Sequence, residues 1–174
     1  IVVSDDGSTD GTLEIIRKYA DDYPELVELD LNEKNRGIPV NLNQGLRAVN
    51  ADVVTFLAGD DRFRREKIQR EVAAIRDSNV GVAYSNYAYV DENGSELGTW
   101  ADGRPPTGNV LSECLSRDWP NNTLCRNIMI SYELLQEVGF YDESFPTYED
   151  WDLKIRLSAA TEVAYVDSVL SEYR

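Results

Sequence analysis

Histidine is absent from all 174 residues. That absence excludes every histidine-based catalytic triad and every imidazole-ligated zinc site, so acid–base chemistry falls to carboxylates, Lys, Tyr or Cys. Cysteine is scarce: Cys114 and Cys125 fit no zinc spacing and no redox C-x-x-C. Two such residues suit a reduced, cytoplasmic setting, and one disulfide between them stays open as the alternative. No apolar run approaches the roughly 20 residues that span a bilayer, so membrane association is expected only through regions outside this chain. Basic residues are outnumbered, 17 against 32 acidic, for a net charge of −15. A surface that negative repels nucleic-acid phosphate and anionic lipid, and no nucleic-acid partner is expected.

What is present is ordinary globular composition, 42% hydrophobic and 28% charged, at a length that predicts one domain. The sequence opens on Ile1-Val2-Val3, an apolar β-branched run, and stops at Tyr173-Arg174. The expectation is a single domain over 1–174, lacking a first strand and helix and truncated at its C-terminus.

The first 76 residues alternate. Strands are predicted at Ile1–Val3, Leu26–Leu31 and Val53–Leu57. Helices are predicted where Leu13, Ile16 and Tyr19, then Ile38, Leu42 and Leu46, then Ile68, Val72 and Ile75 recur at helical spacing. Such alternation predicts a parallel sheet with covering helices, Val53–Leu57 being apolar enough to be central. The second half is less regular, with strands predicted at Val80–Tyr84, Tyr87–Val90, Ile128–Ile130 and Val163–Val166. Asp91–Gly94 is a turn, Asp118–Asn122 a break, and Tyr132–Val138 and Tyr148–Ala159 are helices.

Acids fall in three clusters. Asp5-Asp6 and Asp60-Asp61 each follow a predicted strand, which in a parallel sheet places both pairs at the carboxyl edge where ligands bind. Carboxylates gathered there repel unless a cation compensates, and a hard divalent ion is the natural partner. An EF-hand is excluded, because its twelfth position counted from Asp6 is Arg17. The third cluster, Glu149, Asp150 and Asp152, opens a helix, and position alone does not choose a base among them. Arg62, Arg64, Arg65 and Lys67 read as a solvated helix start, and Trp100, Trp119 and Trp151 as core more than as sugar-stacking platforms.

These segments together resemble the family 2 glycosyltransferases. Val3–Thr12 resembles their nucleotide-binding segment, and Asn35-Arg36-Gly37 with Asn43-x-Gly45 the next loop and helix. Phe56–Asp61 resembles the D-x-D-type element, with Ala58 where many members carry a further acid. Val138–Glu143 and Glu149–Arg156 resemble the stretch that ends in the E-D motif. The resemblance implies a GT-A-like α/β fold, a Rossmann-type, mainly parallel sheet with helices on both faces and an irregular acceptor-side half. It implies inverting transfer from a nucleoside-diphosphate sugar to a saccharide, lipid-linked or protein acceptor. It also implies donor contacts at Asp5, Asp6, Arg36 and Asp60, a Mn²⁺ or Mg²⁺ ion at Asp60 and Asp61, and Asp150 as general base. The alternatives are a non-catalytic sugar-nucleotide scaffold and a nucleotidyltransferase. The latter is disfavoured because Asp6–Thr12 holds no basic residue.

Overall fold

The computed structural model describes residues 1–116, 124 and 126–174. Trp119, Cys125 and the predicted break at Asp118–Asn122 lie outside the described residues. The chain divides into two compact units, one formed by Ile1–Asn50 with Gly139–Leu153 and the other by Ala51–Val138 with Lys154–Arg174.

In the first unit β1 (Val2–Asp5) pairs in parallel with β2 (Glu28–Leu31), Val3 opposite Leu29 and Asp5 opposite Leu31. Helix α1 (Thr12–Asp22) makes the crossover, as parallel strands require. Its apolar spacing does form a helix, yet none of its residues is buried and Ile15 and Tyr19 are exposed. A two-stranded sheet offers too narrow a face to cover it. Helix α2 (Ile38–Ala48) starts after Gly37 with Pro39 in its first turn, where the missing N–H costs no helical bond. It lies tight on β1: a Cβ at Gly45 would clash with Ser4 Oγ.

The second unit holds a six-stranded sheet in the order β3-β7-β5-β8-β4, with β6 on β5. The strands are β3 (Val53–Thr55), β4 (Arg62–Phe63), β5 (Val82–Val90), β6 (Glu96–Thr99), β7 (Met129–Ser131) and β8 (Val163–Tyr173). Helices α3 (Lys67–Ser78), α4 (Leu111–Ser116) and α5 (Tyr132–Val138) belong to this unit, and α6 (Glu149–Ala160) contributes its part from Lys154 onward. Strand β5 is the spine, with Val82, Ala83, Tyr84, Tyr87 and Ala88 all buried. Each fully buried Val or Leu here contributes roughly 1.5–3 kcal/mol. Trp100 is core, stacked on Tyr87.

The α/β architecture is the expected one, and its details differ in three ways. The larger sheet is mixed, parallel only between β5 and β8. The Asp91–Gly94 turn, closed by Gly94 N–H donating to the Asp91 carbonyl, is too short for a crossover and makes β5 and β6 an antiparallel hairpin. The run from Val53 is no central strand, for β3 stands at one end of the order, half-buried and, among the described residues, paired to β7 alone. Val80–Tyr84 and Tyr87–Val90 are not two strands but the single β5, whose register against β8 shifts between Ser85 and Tyr87.

Candidate functional site

Asp5, Asp6, Arg36 and Asp150 fall in the first unit, and Asp60 and Asp61 in the second. The two acid pairs therefore follow strands of different sheets, not one parallel edge.

In the first unit, β1 ends in a turn built around Asp5. Asp5 is 7% exposed, its Oδ1 accepting from the N–H of Gly7 (3.0 Å) and Ser8 (2.8 Å) and its Oδ2 from Ser8 Oγ (2.6 Å). The Ser8 hydroxyl and these amides hold the Asp5 carboxyl below its usual range, against the opposing effect of burial. Asp5 thus shapes the turn that presents Asp6. Asp6 reaches to the loop after β2: its Oδ1 accepts from Arg36 N–H at 2.8 Å and Asn32 Nδ2 at 3.2 Å, its Oδ2 from Gly37 N–H at 2.9 Å. Gly7 lets the two loops touch. Its φ is +81°, and a Cβ there would sit 2.7 Å from the Lys34 backbone. The exposed Arg36 guanidinium donates to Gln44 Oε1 at 3.0 Å.

Asp150 lies exposed in the first turn of α6, with Glu149 half-buried beside it. The residue before the helix, Tyr148, has φ +66°, and its carbonyl accepts from the N–H of Trp151 and Asp152, both at 3.1 Å. A left-handed aromatic residue is strained, and such strain gathers at functional sites. Burial, then the charges of Asp150 and Glu149, push the nearby Tyr141 phenol well above its ordinary range.

In the second unit Asp60 and Asp61 close the turn after β3, Asp61 N–H donating to the Ala58 carbonyl at 3.1 Å. Asp60 is exposed, whereas Asp61 is 7% exposed and accepts at Oδ1 from Arg174 N–H at 3.3 Å. Burial pushes the Asp61 carboxyl up and repulsion from Asp60 adds to it, against hydrogen bonds from Arg174 and Asn127 and the charge of Arg126. This is a carboxylate pair that a cation would relieve. Among the described residues no group of three or more acids or cysteines converges as a metal cage. Two carboxylates suffice for Mg²⁺-type ions when phosphate oxygens complete the shell.

Sequence reasoning missed three residues. Lys67, read as part of a solvated helix start, is 1% exposed and lies against Glu71. The signal was available, since Lys67 and Glu71 sit four apart on α3, and that pair rather than Ile68 faces inward. Asn127 helps hold the Asp61 carboxyl down against its burial, and its carbonyl accepts from Lys67 Nζ at 2.7 Å. Asn43 bonds the peptide of Tyr141.

The family model for glycosyl transferase family 2 matches residues 1–138. TuaG of Bacillus subtilis (strain 168), which carries the name of a teichuronic acid biosynthesis glycosyltransferase, is 24% identical over 177 residues, covering all of this chain and 66% of that one. The crystal structure of S. aureus TarS 1-349 in complex with UDP matches with a TM-score of 0.76 at 20% identity, over 99% of this chain and 50% of that one. The mannosyltransferase PcManGT from Pyrobaculum calidifontis, in complex with GDP-Man and Mn²⁺, matches with a TM-score of 0.68 at 20% identity, over 99% of this chain and 46% of that one. The fold is thus the GT-A type. The chain spans 29% to 66% of the length of the curated relatives it matches.

Proposed function

The chain belongs to glycosyl transferase family 2, and we propose that its 174 residues act as one glycosyltransferase domain using a nucleoside-diphosphate-sugar donor. One observation carries the reading: this fold is shared with proteins whose structures hold UDP, UDP-GlcNAc or GDP-Man. Asp6, fixed by the amides of Arg36 and Gly37, recognises the nucleobase from a turn that Asp5 shapes. Arg36 and Asp60 contribute to holding the donor. Asp60 and Asp61 hold a Mn²⁺ or Mg²⁺ ion, which supplies charge neutralisation for the departing diphosphate. Asp150 takes the proton from the acceptor hydroxyl. The acceptor oxygen then bonds the anomeric carbon as the bond from that carbon to the diphosphate oxygen breaks, with inversion.

Acceptors compatible with this chemistry are saccharide, lipid-linked or protein hydroxyls. The proposed setting is cytoplasmic, which suits the free, buried thiol of Cys114. Among the described residues no helix is long and apolar enough to cross a membrane.

The test is a screen of UDP- and GDP-sugars with the full protein, following donor hydrolysis and transfer with Mn²⁺ and with chelator. Turnover that chelation abolishes is the expected result. Binding without turnover of any donor would instead make the domain a scaffold, and turnover indifferent to chelation would remove the cation.

A further inference from the structure

The second unit carries an arginine-lined cavity that the proposed chemistry does not use. Strand β4 runs beside the end of β8, Arg62 opposite Glu172 and Phe63 opposite Ser171, and the Arg64 N–H then donates to the Leu170 carbonyl at 2.9 Å. Helix α3 starts three residues later, at Lys67. Between that start and residues 168–170 of β8 lies an open cavity of about 340 Å³, a size that holds a small ligand. Arg64, Arg65 and Arg70 line it, with Glu66 the one acid among its described lining residues. The sequence reads Arg64 and Arg65 as a solvated helix start. The fold instead gathers them with Arg70 around one concavity, in a chain whose net charge is −15.

The three guanidinium groups differ in what neutralises them. Arg64 forms ion pairs with Glu96 and, through Nε at 3.4 Å, with Glu172. Arg70 donates to Ser168 Oγ, an acceptor without charge. Arg65 is exposed, and among the described residues its side chain has no hydrogen-bond or ion-pair partner. Glu66 forms no ion pair with any of the three. Two permanent positive charges therefore line one cavity without a counter-charge, and like charges so placed repel until an anion joins them. A guanidinium fork matches the oxygens of phosphate or carboxylate with paired hydrogen bonds. Two forks suit the greater charge and larger oxygen set of a phosphate group better than a single carboxylate.

We propose that this cavity binds a phosphate monoester through Arg65 and Arg70, at a site separate from the sugar-nucleotide donor. Position along β8 supports the separation. Asp61 meets that strand's end at Arg174, whereas the cavity meets it at Ser168–Leu170. The chain from Leu170 to Arg174 spans roughly 13 Å when extended.

The experiment titrates inorganic phosphate calorimetrically into the full protein, with chelator present and ionic strength held constant, and records melting curves with and without phosphate. Parent is compared with Arg65→Gln/Arg70→Gln and with Arg17→Gln/Arg76→Gln, which removes equal charge from exposed positions elsewhere. The parent is expected to bind phosphate and to melt higher with it. Arg65→Gln/Arg70→Gln should lose at least about tenfold in affinity, and Arg17→Gln/Arg76→Gln should match the parent. No phosphate binding by the parent, or equal losses in both double variants, overturns the proposal. A loss of UDP affinity in Arg65→Gln/Arg70→Gln as large as its loss for phosphate places both ligands in one site and overturns it too. Should that variant fold poorly, Arg65→Gln alone decides: weaker phosphate binding supports the site, and unchanged binding overturns it. Co-sedimentation with phosphatidylcholine vesicles, with and without phosphatidic acid, identifies the source. Sedimentation that needs phosphatidic acid and the two arginines makes the ligand a lipid headgroup, and phosphate binding without sedimentation makes it a soluble ester; either supports the site.

Discussion

Asn43 holds both polar atoms of the Tyr141 peptide. Its Nδ2 donates to the Tyr141 carbonyl at 2.8 Å, and its Oδ1 accepts from the Tyr141 N–H at 2.9 Å. The same Nδ2 donates to Glu143 Oε1 at 3.0 Å, and this bond is the main reason the Glu143 carboxyl lies below its usual range. Asn43 is 2% exposed, so these bonds form largely away from water. One buried side chain on α2 thus anchors the segment that leads into Tyr148 and Asp150.

Asn43→Ala is expected to lower stability by about 1–2 kcal/mol, because it takes the Asn43 hydrogen bonds from a half-buried N–H and carbonyl. Asn43→Asp keeps an acceptor for the Tyr141 N–H but sets a carboxylate against its carbonyl and against Glu143, and should be no better tolerated. Thermal melts check both. Parent-like melting for Asn43→Ala would show that the peptide finds other partners.

Gly7→Ala is expected to cost at least about 2 kcal/mol. The left-handed conformation alone penalises a side chain by roughly 1–2 kcal/mol, and the clash with the Lys34 backbone adds to it. Relief by backbone movement would separate the two loops that Asp6 joins, so nucleotide binding should weaken as well. Calorimetry with UDP and GDP reads this, and unchanged binding would detach the loop geometry from the donor.

Acid should expose the work of Ser8. The Asp5 carboxyl is held below its ordinary value of 3.8. Its contribution to stability is therefore complete above that value and is lost as pH falls through the lower, folded pKa. Ser8→Ala removes the largest contributor and should cost about 1 kcal/mol near neutrality. The difference from the parent should close as pH falls below that lowered, folded pKa. A gap of the same size in acid would mean that Ser8 acts by packing alone.

Asp150→Asn is expected to lower the transfer rate by about 10²–10⁴-fold, as loss of a positioned general base does, with little change in donor affinity. Asp152→Asn, roughly 200° away around the helix axis, should be milder. Rates and affinities measured side by side decide the matter. Normal turnover by Asp150→Asn, or equal losses from both variants, would move the base elsewhere.

The elements read best from sequence were those whose pattern is local. Tyr132–Val138 is helical over the predicted residues, and Asp91–Gly94 turns as its composition requires. Strand partnership was not legible, because a run such as Val53-Val54-Thr55 carries no mark of which neighbour it will have. Apolarity suggested a central place, and pairing with β7 alone put β3 at the end of the order. Short strands such as Arg62–Phe63 were missed because two residues carry no period. Among the candidate site residues, the acids were visible as types, but their supports were not. Asn43 looks like a surface residue by type, and only the packing that leaves it 2% exposed shows otherwise, whereas Lys67 had a partner in reach at Glu71, four residues along α3.

Strand β8 has a consequence for the order in which the second unit forms. It pairs Val82 with Val163 and Tyr89 with Tyr173 in parallel, and among the described residues it is the sole partner of β4. Parallel pairing over so long a loop is slow, since the loop must close before any contact rewards it. During synthesis β5 is made well before β8, and until residues 163–173 follow, one long edge of the spine stays open to wrong partners. The Asp60–Asp61 turn inherits that delay. Its neighbour β4 pairs with β8, and Asp61 takes a backbone hydrogen bond from Arg174, just past that strand. The residues proposed to hold the cation therefore reach their final geometry among the last in the chain, although they are translated in its first half.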